Sequence, residues 1–141
     1  MRRICWDTML FIYLLEGNPG HVARVREILA QCYERGDFLC CSYLALGEVM
    51  AGANLSANQE KETVIQNTIR EMGFHFLPFD EGAVLPFSRL RAKEKLRAAD
   101  AIHLACAASA GVDLFLTGDK QLTKLYVPGV RFIADIYTPL I

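Results

Sequence analysis

"RAADAIHLACAASAGVDLFLTGDKQL", residues 97–122, decides how the rest of the chain is read. Up to Gly111 it is a run of small apolar residues, and it closes on the residue that most readily ends a helix. Val112–Leu116 is then a short apolar run with strand-forming Val and Phe, followed by Thr117, Gly118 and Asp119. The pair predicts a helix feeding a buried strand. It also sets two carboxylates, Asp100 and Asp119, where the pattern otherwise asks for core.

Working outward, the same alternation fills the chain. "RRICW" (2–6), "DFLCCS" (37–42), "FHFLPF" (74–79), "VDLFLTG" (112–118) and "VRFIADI" (130–136) read as strands, with Pro78 marking an edge or a strand end. Between them, "DTMLFIYLLEG" reads as a helix capped by Asp7 or Thr8, and "NPGHVARVREILAQCYERG" as an amphipathic helix. "SYLALGEVMAG" reads as a helix capped by Ser42, and "SANQEKETVIQNTIREMG" as a more polar one capped by Ser56. "DEGAVLPFSRLRAKEK" is helical with a kink or late start at Pro86, and "DKQLTKLY" is one short helix. Strand–helix alternation predicts an α/β domain spanning residues 1–141, with a mostly parallel sheet of about five strands and helices on both faces.

Bulk properties bound the function. A chain of 141 residues, 52% hydrophobic and 22% charged, has a real core to bury and is not disordered. No apolar run approaches the roughly 20 residues of a membrane helix. The basic, apolar start imitates a signal peptide, but Asp7 interrupts it and no small-residue cleavage site follows. Cys5, Cys32, Cys40, Cys41 and Cys106 are odd in number, form no C-x-x-C, and sit in apolar segments, so they are expected as reduced core residues of a cytoplasmic protein. A net charge of −1 argues against simple coating of nucleic acid. "RLRAKEKLR" (89–97) nonetheless holds five bases and one acid. By itself that run is a solvated helix end; beside a phosphodiester site it becomes a phosphate contact.

Four acids stand in apolar surroundings: Asp7, Glu48, Asp100 and Asp119. Asp at a helix start is most often a plain cap, so Asp7, Asp100 and Asp119 each have an ordinary explanation. Glu48 has none, since it lies mid-helix among Leu44, Leu46, Val49 and Met50. In open parallel sheets ligands bind outside the carboxyl ends of the strands. Asp7 and Asp119 follow strands, and Glu48 and Asp100 lie on the neighbouring helices. Gathered carboxylates repel unless a cation offsets them. An oxygen-only donor set without a His or Cys cluster points to a hard cation, Mg²⁺ or Mn²⁺, which activates water and polarises phosphoryl oxygens.

"CWDT" (5–8), "SYLALGEVMAG" (42–52), "AADAIHLACA" (98–107) and "LFLTGDKQL" (114–122) together resemble the PIN-domain family, of the VapC toxin ribonuclease type. The resemblance spans nearly the whole chain in the right order. It implies a Mg²⁺- or Mn²⁺-dependent endoribonuclease whose metal-binding and catalytic residues are Asp7, Glu48, Asp100 and Asp119. It also implies that Thr117, the family's small hydroxyl residue just before the last acid, holds a metal-bound water, with Thr8 and Ser42 as weaker supporting residues. His103, one turn beyond Asp100, is expected to be packed or supporting. Met9 departs from the family's usual polar residue, and Pro86 from its usual unbroken helix. The implied reaction is in-line attack of water on an RNA phosphodiester, leaving 5′-phosphate and 3′-hydroxyl, with Arg89, Arg91, Lys93, Lys95 and Arg97 gripping the backbone. The implied partners are RNA, a small antitoxin held against the early helices and the helix near Glu48, and a second copy of the chain.

Two rivals stand beside this reading. A HAD-like phosphatase also has an Asp after its first strand, but it needs a second acid two residues on, where Met9 stands. A PIN-like module that binds RNA or protein without cutting is the other alternative, and the intact acid set counts against it. The remaining residues have ordinary readings: His21 and His75 as structural or exposed, the alanines of 98–110 as close helix–sheet packing, and Phe11, Tyr13, Phe74 and Phe76 as core.

Overall fold

The computed structural model describes residues 1–55 and 60–139. Five strands, β1 (Arg3–Trp6), β2 (Phe38–Ser42), β3 (Phe74–Leu77), β4 (Leu114–Thr117) and β5 (Phe132–Asp135), form one sheet in the order β3-β2-β1-β4-β5. Every pairing is parallel. Six α-helices connect them: α1 (Thr8–Leu15), α2 (Val22–Arg35), α3 (Tyr43–Leu55), α4 (Glu60–Glu71), α5 (Glu81–Ala92) and α6 (Ala98–Ala110). All five expected strands form, and β3 is an edge strand with Pro78 directly beyond its end. Ser56, the expected cap of α4, lies outside the described residues.

Alternation along the strands divides the core. On one face Ile4, Trp6, Leu114 and Leu116 meet Leu10 and Phe11 of α1, Val25 and Ile28 of α2, Ala45 and Val49 of α3, and Ile69 of α4. On the other, Cys5, Cys40 and Phe115 meet Leu90 of α5 and Ala101, Leu104 and Ala107 of α6. The small residues of α6 let that helix lie close on the sheet. Trp6, Phe11 and Phe74 pack with ring centroids 4.8–5.1 Å apart in tilted and edge-on contacts, each such pair adding about 1 kcal/mol beyond its burial.

The strand order has one consequence for function. The chain runs outward from β1 to β2 and β3, then returns to place β4 on the other side of β1. The connections reverse direction between β1 and β4, and a crevice opens there at the carboxyl ends. Trp6 pairs with Leu116, so Asp7 and Thr117 emerge side by side.

Two local expectations are corrected. Helix α5 runs through Pro86 without a break. Pro86 is its sixth residue, so the missing N–H forfeits a single bond near the helix start, a small loss beside the burial of Ala83 and Leu90. "DKQLTKLY" forms only a three-residue 3-10 turn, Leu122–Lys124, because the chain must extend again for Val127 and Val130 to enter the core.

All five cysteines are buried and free. Burial pushes the thiols of Cys32 and Cys106 up to about 11 and that of Cys41 higher still. The thiolate is the reactive form. The native protein is therefore expected to leave all five thiols unlabelled by a thiol reagent at pH 8, and to react at five positions once unfolded by guanidinium. A rapidly labelled native cysteine would contradict this core.

Candidate functional site

Asp7 is the residue after β1 and the N-cap of α1. Its backbone N–H donates to the Leu116 carbonyl, prolonging the sheet by one bond. Its carboxylate, 10% exposed, accepts from the Thr8 N–H at 2.8 Å through Oδ1 and from the Thr117 hydroxyl at 2.8 Å through Oδ2. Asp7 is thus both the cap that the ordinary reading expected and the floor of a cleft. Thr117 is completely buried, and its Oγ1 also accepts from the Asp119 N–H at 3.0 Å. One hydroxyl therefore joins the first acid to the loop that carries the last.

Glu48 belongs to α3, which Ser42 caps by accepting from the Ala45 N–H at 3.0 Å. Glu48 Oε1 accepts from the Thr8 hydroxyl at 2.8 Å and lies 2.8 Å from His103 Nε2. His103 is 4% exposed, and its Nδ1 lies 2.7 Å from Ser42 Oγ. The two ring nitrogens of His103 thus face Ser42 and Glu48, and a buried His holds a mid-helix Glu from below.

Asp100 is not a cap. Arg97 occupies the N-cap position of α6, and Asp100 is the third helical residue. Its Oδ2 lies 3.2 Å from Arg97 Nε, with the Arg side chain 82% exposed. An ion pair so open to water adds little stability. Asp119 accepts from the Gln121 N–H at 2.8 Å through Oδ1, so it does cap the short turn after it.

All four acids line a single cleft of about 470 Å³, together with Thr8, His103 and Arg97. Met9, Ile12, Tyr13 and Gly118 also line it. Each carboxylate is held by protein donors. Among the described residues no group of three or more His, Cys, Asp or Glu side chains stands arranged to hold a metal ion in these positions. The donor chemistry nonetheless fits a hard cation, because the cleft gathers carboxylate and hydroxyl oxygens and no thiolate. The electrostatics agree. Burial, with a smaller contribution from the charge of Asp100, raises the Asp7 carboxyl above its ordinary value, against the opposing pull of His103 and of its hydrogen bonds to Thr117 and Thr8.

The basic run divides. Only Arg97 reaches the acid cleft. Arg89 and Lys93 line a separate groove between α5 and residues 126–128, Arg91 donates to the Leu96 carbonyl at 2.7 Å, and Lys95 takes a left-handed φ of 55° in the turn that follows α5. Arg97's proximity to an acid three residues on was visible in the sequence as an i,i+3 pair. The cleft wall around Tyr13 was not, since an aromatic among aliphatics reads as core.

The chain matches the family model described as "PIN domain" over residues 4–128. Solved structures of the same fold include a DNA-bound VapBC from Salmonella typhimurium, with a TM-score of 0.74 and 22% identity, covering 96% of this chain and 99% of that one. VapBC2 from Rickettsia felis, bound to a promoter DNA fragment, gives 0.72 and 14%, covering 94% and 98%. VapBC-1 from nontypeable Haemophilus influenzae gives 0.70 and 20%, covering 95% and 98%. Among curated proteins none matches the chain in sequence.

The raised Asp7 carboxyl generates a signed prediction. A carboxyl whose folded pKa lies above its unfolded value contributes stability below about pH 4, and that contribution is lost as pH rises through the folded value. Asp7→Asn keeps a cap and a partner for Thr117 without the buried charge. In EDTA its melting temperature at pH 7 should equal or exceed that of the parent, and the parent should lose more stability than the variant between pH 4 and 7. An Asn variant that melts well below the parent at pH 7 would contradict the buried-charge reading.

Proposed function

The chain belongs to the PIN domain family, and from that footing we propose that it is a Mg²⁺- or Mn²⁺-dependent endoribonuclease, the toxin of a type II toxin–antitoxin pair acting in the cytoplasm. The observation that carries this reading is the single cleft that gathers Asp7, Glu48, Asp100 and Asp119 at the carboxyl ends of β1 and β4. A divalent ion, when bound, supplies an activated water and charge stabilisation at phosphorus. The four carboxylates would hold it.

The chain's own residues account for the rest. Thr117 and the Thr8 N–H keep both Asp7 oxygens in place, and Thr8 with His103 holds one Glu48 oxygen, Oε1. Asp100 and Asp119 are held more lightly, by an exposed guanidinium and by a turn N–H, so they are the two free to turn toward a cation. Arg97, 82% exposed at the edge of the cleft, would meet the RNA phosphate backbone; such contacts position RNA without reading its sequence. Arg89, Arg91, Lys93 and Lys95 remain candidates for further backbone contacts, from the separate groove and the turn after α5 rather than from the cleft itself.

The proposed partner is a small antitoxin, in keeping with the VapBC and toxin–antitoxin complexes that share this fold. Met9 and Leu15 of α1 and Tyr43 of α3 are exposed apolar side chains, and Met9 shares the cleft lining with Glu48, which would suit an amphipathic segment. An arginine from that segment would take the cation's place among the acids. A homodimer is also proposed. Among the described residues no helix is long and apolar enough to cross a membrane.

Asp100→Asn tests the acid site, since the structure gives Asp100 no capping duty to lose. RNA cleavage with Mg²⁺ or Mn²⁺, abolished by EDTA, is expected to fall on the order of 100-fold or more in the variant. The parent should gain thermal stability on adding metal, by mass action on the folded state, and the variant should gain less. Full cleavage by the variant with an unchanged metal-induced rise would remove Asp100 from the site. Metal-independent binding of RNA without cleavage would instead favour the non-catalytic module.

A further inference from the structure

The aromatic part of the acid cleft's lining has a construction of its own. Tyr13 lines the cleft from α1, one turn beyond Met9. Its ring is backed by His21, with centroids 4.4 Å apart and planes tilted by 36°. His21 is itself anchored, since its Nδ1 lies 2.6 Å from the hydroxyl of Tyr137, and that hydroxyl donates to the Gly20 carbonyl at 2.9 Å. Tyr137 and Met9 are 53% and 40% exposed. Tyr13, packed partly against the core, also borders the polar cleft, and two further rings lie in a row behind it.

Gly118 adds an independent observation. It is not among the glycines with a left-handed backbone, so conformation does not demand a glycine there. Space does. A Cβ on Gly118 would lie 3.0 Å from the Tyr13 hydroxyl oxygen, 3.5 Å from its ring and 3.7 Å from the Met9 Cβ. The residue directly before Asp119 therefore leaves room for the phenol edge to lie against the acid loop.

We infer that Tyr13, braced by His21 and Tyr137 and seated against Gly118, is the stacking surface for a nucleobase of single-stranded RNA lying beside the acids. This rests on the proposed ribonuclease reading and gives that site a direction. Arg97 takes a phosphate, and Tyr13 takes the face of a base. Stacking on an aromatic ring needs an unpaired base and tolerates any base identity. A duplex keeps its bases stacked on one another and cannot offer one to Tyr13.

The test uses short single-stranded RNAs carrying 2-aminopurine at successive positions, bound to the full chain in Ca²⁺. Stacking quenches the 2-aminopurine fluorescence. The parent is expected to quench it at one position or a few adjacent ones, and to bind duplex RNA of the same sequence without quenching. Tyr13→Phe should keep the quenching. Tyr13→Leu, which retains apolar packing, should lose it and weaken single-strand binding about tenfold. Melting temperatures establish that both variants fold. Cleavage in Mn²⁺, measured in parallel, separates the two claims. A parent that cleaves while Tyr13→Leu quenches and binds as the parent does overturns the stacking surface and leaves the nuclease standing. Equal quenching of duplex RNA, or none at any position, overturns it as well. Quenching lost in Tyr13→Leu, in a parent that does not cleave, upholds the surface and removes the nuclease.

Discussion

A carboxylate buried at the point where a parallel sheet reverses its connections is the constraint on which this molecule turns. Asp7 has to lie there because β1 ends there, and β1 is the central strand. Burying it is costly, and its raised carboxyl reflects that cost. Two donors offset it in part, the N–H of the helix it caps and the hydroxyl of Thr117 on the next strand. Thr117 in turn holds the loop of Asp119. Thr8, whose N–H serves Asp7, gives its hydroxyl to Glu48. The geometry of the first acid is thereby passed on to two of the other three.

The cleft is consequently stiff on one side and adaptable on the other. Asp7 and Glu48 are tied to buried groups, whereas Asp100 and Asp119 are held by an exposed side chain and by a turn. A site that must accept a cation benefits from that division. Rigid ligands set the position, and lighter ones complete the shell without a large loss of existing bonds. The lining differs as well, cationic at Arg97 and aromatic at Tyr13. A nucleic-acid strand crossing such a cleft is offered both chemistries.

Much of this was legible in the sequence, for physical reasons that can be named. The strands were readable because short apolar runs bounded by Gly, Asp and Pro leave few alternatives in an alternating chain. Glu48 stood out because an ionisable group amid large aliphatics has no local explanation. Asp7 and Asp119 were harder, since each really is a cap, and capping does not preclude a second role. For Asp100 the ordinary capping alternative falls away, because Arg97 holds the N-cap position and Asp100 is the third helical residue. Tyr13 does pack against the core as expected, and its second position on the cleft lining was not legible because sequence periodicity does not distinguish a helix face that meets the sheet from one that borders a cleft. Pro86 was weighted too heavily, as a single lost bond near a helix start is easily outweighed by packing.

Direct binding of Mn²⁺ tests the central claim most plainly. Electron paramagnetic resonance of free Mn²⁺, titrated with the protein at neutral pH, measures it without reference to RNA. The four-acid cleft should remove Mn²⁺ from solution, release it to excess Mg²⁺, and bind it far more weakly when Asp7 or Asp119 is replaced by Asn. A parent protein that leaves the free Mn²⁺ signal unchanged, or an Asn variant that binds as tightly as the parent, would contradict the account.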